Sequence, residues 1–406
     1  MKKILLLTDV PPSKYFSGAL LTDQLVRFLP KGSVACFSPV MAGLKNAVLA
    51  PDLDYVPIQY HVKPREYTGH LLPRKFKLGH LSSFLMENYN AAVPVHSLIR
   101  KAVRFGRDFG ATAVWAIIQG QTMIRMARPV AEGLGASLYI QVWDAPQWAL
   151  KRNRIDPLMR RHLLAEYERL LRQSRVVGAA SWAMAEDYQA RYGVRAVPLA
   201  SSLDAAQARE PATAPHAEGP LTISLAGQIY AEDEWDALME AIDGMNWTIG
   251  GRPIKVRLMG GYINLKSSRR RNIEYLGYAT QAETLDLMAD SDVLYCPYWF
   301  DKDYEEVART SFPAKLTTYL ASGRPVFFHG PAYASPARFI AEHDCGLVCP
   351  TLDPAAISEA IRRLLADSAL YARLTANGTR AFRQQLTLDA LRRRFNSFLE
   401  WDEESE

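Results

Sequence analysis

The sequence predicts an α/β protein built from two successive parallel-sheet domains. Three observations carry that prediction. Short continuous apolar runs alternate with helical patterns, the rhythm stops in an Ala-, Pro- and Ser-rich stretch at residues 201–220 and then restarts, and after Asp353 the pattern is helical as far as Trp401. The 406 residues, 49% of them hydrophobic and 22% charged, are too apolar for a disordered chain and long enough for two or three buried cores.

In the first half the strand Lys3–Leu7 precedes a helix Ser17–Leu29. Ala113–Ile118 precedes Thr122–Glu132, Ser137–Val142 precedes Ile155–Gln173, and Val176–Ala180 precedes Ser181–Tyr192. A run such as Val114-Trp115-Ala116-Ile117-Ile118 lacks a polar face, as expected of a strand covered by helices on both sides. After residues 201–220 the second domain reads Leu221–Ala226, a helix Asp233–Ile242, Ile254–Met259, Ile273–Leu276, a helix Gln281–Ala289, Asp292–Cys296, a helix Pro313–Ala321 and Pro325–Phe328. The boundaries follow: a domain over 1–200, a linker over 201–220, a domain over 221–380, and a last helix in 381–406 that packs back on the first domain. In open sheets of this kind ligands bind beyond the carboxyl ends of the strands, so function is expected there.

The overall charge of +5 hides an asymmetry: residues 1–200 hold 27 basic and 14 acidic side chains, the remainder 21 and 29. A basic half suits nucleic acid, an anionic membrane surface or a phosphorylated substrate. Without a recognised binding module nucleic acid is disfavoured. The four cysteines, Cys36, Cys296, Cys345 and Cys349, are too few and scattered for a disulfide framework or a zinc site. No run is long and apolar enough for a membrane span, and a cytoplasmic location is expected. Residues 61–80 interleave Lys63, Arg65, Arg74, Lys75 and Lys77 with Tyr67, Leu71, Leu72, Phe76 and Leu78. That segment suits a peripheral contact with an anionic membrane, a protein contact or a solvated loop.

The most informative segment runs from Thr310 to Val326. Pro313 suits the first helical position, Ser311 a cap, and Gly323 the left-handed residue past the helix end. Lys315 has the wrong sign for a helix start, so it either snorkels into solvent or faces an anion such as phosphate. Here the sequence resembles the retaining GT-B glycosyltransferases of family 4, which often read P-S-K-L-x-E-Y-L-A-A-G-x-P-V. Ser17-Gly18, Ala226-Gly227-Gln228, Leu258-Met259-Gly260-Gly261, Tyr275-Leu276-Gly277-Tyr278 and Ala289-Asp290-Ser291-Asp292 agree in order and spacing.

The resemblance implies two Rossmann-like domains around a cleft and a sugar moved from a nucleotide-diphosphate donor to a glycan or lipid-linked saccharide, with retention and no metal. Carried over by position, Ser311 and Lys315 face the donor phosphates, and Gly227 admits the diphosphate to the backbone. Gly260 and Tyr278 flank the nucleotide, and Gln228, Arg309, Thr310 and Thr318 complete the donor side. Three positions depart from the pattern. The paired glutamates spaced by eight are Thr310 and Thr318, the usual Arg after the first glycine is Gln228, and the Lys that follows falls among Glu232, Asp233 and Glu234. The diphosphate then needs other cations, for which Arg309, Arg324, Arg252 and Arg257 are the candidates beside Lys315.

On the acceptor side Ser17, Gly18, Trp143 and Trp148 accompany Asp144, the best-placed carboxylate beyond a buried strand. It either orients a sugar beside two aromatic rings or caps a helix among core tryptophans. Asp9 and Gln119 are weaker candidates of the same type. His96 and His329 read as structural, and the triplets Asp52-Leu53-Asp54 and Asp301-Lys302-Asp303 read as turns rather than metal ligands. The replaced glutamates leave a second reading open, a module of this fold that binds a glycan, nucleotide or partner without catalysis. An epimerase would need cleft carboxylates, and a dinucleotide oxidoreductase is disfavoured by the missing Gly-x-Gly-x-x-Gly after the first strand.

Overall fold

The computed structural model describes residues 2–14, 17–43, 48–72, 78–260 and 272–401. The chain divides into two units, one of residues 1–200 with 392–406, the other of residues 201–391. The first unit contains β1 (Ile4–Leu7), α1 (Ser17–Arg27), β2 (Val34–Val40), β3 (Ile58–Val62), α2 (Gly79–Asn90), α3 (His96–Phe109), β4 (Ala113–Ile118) and α4 (Gln121–Leu134). It continues with β5 (Ser137–Val142), α5 (Pro146–Arg152), α6 (Pro157–Gln173), β6 (Val176–Ala179), α7 (Trp182–Tyr192) and β7 (Ala196–Pro198). Its sheet is parallel in the order β3-β2-β1-β4-β5-β6-β7. Every residue of β1 and β4 is buried, as the uninterrupted apolar runs require.

The second unit contains β8 (Leu221–Ala226), α8 (Glu232–Gly244), β9 (Thr248–Ile249), β10 (Arg252–Met259), β11 (Ile273–Gly277), α9 (Gln281–Ala289), β12 (Val293–Pro297) and α10 (Glu305–Thr310). There follow α11 (Ala314–Ala321), β13 (Val326–His329), α12 (Ser335–His343), β14 (Gly346–Cys349), α13 (Pro354–Ala366) and α14 (Ser368–Gln385). The parallel order is β11-β10-β8-β12-β13-β14, with β9 antiparallel on β10. Strand order reverses beside β1 in the first sheet and beside β8 in the second, and crevices at such reversals are where ligands bind.

Residues 201–220 are not slack. Arg209 N donates to Ala321 O (2.8 Å), Ala212 N to Gly323 O (2.9 Å), and Thr375 Oγ1 to Ala212 O (2.6 Å). Fully buried Asp292 accepts from His216 N (2.7 Å) and Thr222 N (2.8 Å), tying the segment to the start of β8. Gly323 has φ +70°, and a Cβ there would lie 2.4 Å from Glu210 O, so glycine serves both the turn and this close approach.

The last helix, α15 (Leu388–Leu399), contributes its residues from Arg392 onward to the first unit. There Phe395 lies 5.1 Å from the Trp115 ring and Phe398 5.9 Å from Tyr139, while Glu400 pairs with Arg175 (3.1 Å). Phe395 is fully buried. Phe395→Ala is therefore expected to cost about 3–5 kcal/mol in denaturant unfolding, as for other large aromatic truncations. An unchanged midpoint would remove α15 from this core.

Candidate active site

In the second unit three adjacent strands, β8, β10 and β11, finish in glycines with positive φ: Gly227 (+88°), Gly260 (+122°) and Gly277 (+68°). Gly227 N donates to Met259 O (2.8 Å) and Gly260 N to Gly277 O (2.7 Å), so the turns are laced together. A Cβ on Gly260 would meet Gly227 O at 2.8 Å. The strand ends therefore open onto a pocket of about 420 Å³ lined by Ala226, Gly227, Gln228, Met259, Gly260, Tyr278, Ala279 and Thr284. None of these is a carboxylate, and Tyr278, 90% exposed, stands at its rim. Gly261 lies outside the described residues.

Lys315 is in the first turn of α11. Its Nζ donates to Gln228 O (3.2 Å), sits 4.8 Å above the Tyr230 ring, and lies 3.9 Å from where a Gly227 Cβ would be. Burial lowers its ammonium to about 8. Beneath it Tyr230 packs 4.5 Å from Trp299, whose Nε1 donates to Tyr230 O (2.8 Å). Sequence reasoning missed this aromatic floor; the run Tyr295–Phe300, rich in rings beyond a buried strand, was the available signal.

The other residues expected on the donor side are turned to structural work. Pro313, not Ser311, occupies the N-cap position of α11, and Ser311 Oγ instead donates to Val307 O (2.7 Å) and meets Tyr298 OH (2.8 Å). Thr310 Oγ1 donates to Glu306 O (2.7 Å), and buried Thr318 accepts from Gln281 Nε2 (3.0 Å). Arg309 pairs with Glu305 (2.8 Å) and lies over the Tyr333 ring. Arg252 donates to the carbonyls of His216, Glu218 and Gly219, and Arg257 bonds Glu274 and Asp290. Arg324 donates to Ala289 O (2.7 Å). Of the proposed cations, Lys315 is the one beside the glycine turns.

In the first unit, Gly18 packs against Trp143 so closely that a Cβ would fall 2.4 Å from the indole. Nothing is described of the Ser17 side chain. Asp144 follows β5 but is exposed, and the cap of α5 is Ala145 without a side-chain bond, so the capping role is not observed. Desolvation by surrounding protein raises its carboxyl above the ordinary value, an effect that solvent access limits. Trp148 lines a separate pocket of about 490 Å³ with Glu66, Tyr67, His70, Gln119, Gly120 and Arg152 among its walls. The Arg152 guanidinium lies 4.9 Å over the Trp148 ring.

The floor of that pocket is a buried charge network that pattern reading did not find. Lys63 Nζ donates to Asp9 Oδ2 (2.7 Å) and Glu66 Oε2 (2.5 Å), and Glu66 Oε1 accepts from Thr122 N (2.8 Å). Burial raises the Asp9 carboxyl against the opposing pull of Lys63. Glu87 and Arg125 pair at 2.7 Å beside it. Lys63 is thus committed to the interior, which corrects its assignment to a surface-binding segment; Arg74, Lys75 and Lys77 lie outside the described residues.

His329 is fully buried with Nδ1 near Tyr295 OH (2.9 Å) and Nε2 near Thr351 O (2.7 Å), a structural placement. Asp52 pairs with Arg27 (2.9 Å), and Asp301 caps a short turn through Asp303 N (2.9 Å). Among the described residues no group of three or more His, Cys, Asp or Glu side chains is placed to hold a metal ion.

Residues 220–367 match the family of glycosyl transferases group 1. This stretch is similar to a glycosyltransferase domain. That match, over β8 to α13, contains the glycine turns and Lys315. No curated protein matches the sequence. Among solved structures, HepE of Anabaena in complex with UDP is similar at 13% identity and a TM-score of 0.67, over 98% of this chain and 99% of that one. Sucrose-phosphate synthase of Thermosynechococcus elongatus gives 13% and 0.65, over 98% of each chain. The UDP-forming α,α-trehalose-phosphate synthase of Burkholderia vietnamiensis gives 14% and 0.64, over 98% and 99%. The fold is GT-B, and the match to glycosyl transferases group 1 falls within its second unit.

The contact between the glycine turns yields a test. Gly260→Ala forces a side chain into an unfavourable φ and against Gly227 O, and is expected to cost about 1–3 kcal/mol by chemical denaturation. A neutral substitution would mean that the turns separate freely.

Proposed function

We propose that this glycosyltransferase moves a sugar from a nucleoside-diphosphate donor, held at Gly227, Gly260 and Tyr278, to a glycan or lipid-linked saccharide, with retention of configuration. The observation that carries the reading is Lys315, a partly desolvated ammonium beside two turns whose glycines leave the backbone approachable. A diphosphate supplies the missing counter-charge, and charge-assisted bonds of this kind are the strong ones. UDP is the nucleotide to test first, since HepE, a protein of the same fold, is seen with UDP and with UDP-glucose. The lack of a carboxylate in the pocket lining supports a route in which the leaving diphosphate, rather than a protein nucleophile, assists the incoming hydroxyl.

For the acceptor, Trp148 offers a ring to the apolar face of a sugar, and Gln119 and Glu66 offer groups that bond hydroxyls. Asp144, exposed beyond β5 and without a partner among the described residues, is the candidate for orienting the reacting hydroxyl.

Lys315→Ala is expected to raise the Kd for UDP by about 10- to 100-fold while the thermal midpoint holds, measured by calorimetry. Unchanged affinity in a folded variant would sink the phosphate assignment. The titration has a definite sign. Lys315 loses its proton above about pH 8 in the free protein, whereas bound diphosphate keeps it charged. UDP affinity should therefore fall as the pH rises past 8, and binding at pH 8.5 (about half a unit above that value) should take up protons in buffers of differing ionisation enthalpy. Asp144→Asn should lower kcat with little change in donor Kd, and Trp148→Ala should raise the acceptor KM; normal turnover in both would move the acceptor elsewhere.

A further inference from the structure

Helix α2 is inside out. Its buried side chains are Ser83, Glu87 and Asn90, all polar. Beside exposed His80 and Asn88, its outward side chains are Leu81 (55% exposed), Phe84 (39%), Leu85 (59%) and Tyr89 (56%), and Val93 (54%) extends the row into the following turn. Leu81, Leu85, Tyr89 and Val93 recur every fourth residue, which puts them on one stripe about 18 Å long. Single exposed apolar residues are ordinary, but a contiguous row on a helix is not. The inner face explains the inversion only in part. Glu87 is held by Arg125 and Thr68, Ser83 accepts from Asp156 N (2.9 Å), and Asn90 donates to Arg65 O (3.0 Å). Those bonds account for polar groups inside, yet nothing in them calls for leucines outside.

The charges around the stripe indicate its partner. The one ionisable carboxylate of α2, Glu87, is buried with Arg125, so the outward face carries no negative charge. The helix runs on through Ala91–Val95 into α3, where Arg100, Lys101 and Arg104 are exposed. It also packs against α6, whose start carries Leu158 (69% exposed), Arg160 and Arg161, and whose Glu166 lines a small pocket with Asn88 and Ala91. None of these five cations has a carboxylate partner among the described residues. An apolar row on a helix whose adjoining helices carry exposed cations suits a place in a bilayer interface, with side chains in the acyl boundary and cations on anionic headgroups.

We propose that the α2 face, from Leu81 to Val93, docks the protein on an anionic lipid bilayer, with Arg100, Lys101, Arg104, Arg160 and Arg161 against the headgroups. The proposal lies wholly in the first unit and does not depend on the donor assignment. It places the contact on different residues from the basic segment 61–80.

The test is co-sedimentation of the full chain with vesicles of phosphatidylcholine containing phosphatidylglycerol, against vesicles of phosphatidylcholine alone. Binding to the anionic vesicles is expected, weakening with added salt. Leu85→Glu with Tyr89→Glu, both surface changes that leave the thermal midpoint in place, should reduce partitioning at least tenfold. Arg160→Glu with Arg161→Glu should reduce it by about five-fold for each cation lost. UDP affinity should be unaffected in all of them, so failure here and failure of the donor reading are separable. Absence of binding to anionic vesicles, or equal binding by the folded variants, overturns the proposal. Self-association abolished by Leu85→Glu, without vesicle binding, overturns it in favour of a protein interface.

Discussion

The second unit depends on one constraint, that the ends of β8, β10 and β11 come together without side chains between them. Gly227 and Gly260 meet backbone to backbone, and Gly277 closes the set through its carbonyl. Any Cβ at Gly260 would push the turns apart, and any at Gly227 would come within van der Waals reach of Lys315. The pocket is therefore walled in part by glycine backbone, with Gln228, Met259, Tyr278 and Thr284 also in its lining and Lys315 beside its Gln228 edge. A site of that composition suits a ligand that is anionic at its centre and needs close backbone approach, which is the chemistry of a diphosphate.

Much of this was legible in the sequence, for identifiable reasons. The central strands β1, β4 and β12 are buried on both faces and read as unbroken apolar runs, while β8, equally buried, is broken by Thr222 and Ser224. Gly323 was legible because a helix end followed by a tight crossing leaves little choice but glycine. The outer strands β2 and β3 were not: β3 reads Ile58-Gln59-Tyr60-His61-Val62 and is mostly exposed or half-buried, so it has no apolar signature. The role of Ser311 was misread because local pattern suggests a cap, whereas the backbone there is extended between two short helices. Its hydroxyl turns back to Val307 and across to Tyr298. The fates of Arg252, Arg257, Arg309 and Arg324 were beyond pattern reading altogether, since each is decided by carbonyls or carboxylates brought near only by the fold.

The same limit explains the first unit. Asp9, read as a strand-end candidate, and Lys63, read as part of a surface segment, join Glu66, Glu87 and Arg125 across up to 116 residues in a buried network at the strand ends. Buried charges are costly unless paired and hydrogen-bonded, so each position constrains the others. Gly120 belongs to this arrangement: a Cβ there would fall 2.6 Å from the Glu66 carboxylate. Gln121 donates to Glu66 O (2.8 Å), so the start of α4 is fixed by the same groups. The polar inner face of α2 follows from the network, because Glu87 must point inward to meet Arg125. That fixes which positions of α2 face inward, and it leaves the choice of apolar residues at the outward positions unexplained by the network.

The resemblance noted in the sequence implies glutamates where this chain has Thr310 and Thr318. Here both hydroxyls are satisfied within the unit, by Glu306 O and by Gln281. The exchange removes negative charge from the neighbourhood of α11 without leaving a buried acceptor unpaired. It also leaves Lys315 with a carbonyl and an aromatic face as its partners, and no carboxylate among the described residues. A cation held by neutral groups in a partly desolvated place loses its proton more easily, which is the direction found. The same absence raises the value of an anionic ligand to that lysine, because the ligand does not have to displace a resident counter-ion. Under the proposed function Lys315 would hold the diphosphate without a competing carboxylate beside it, and selection of the sugar would fall to other groups.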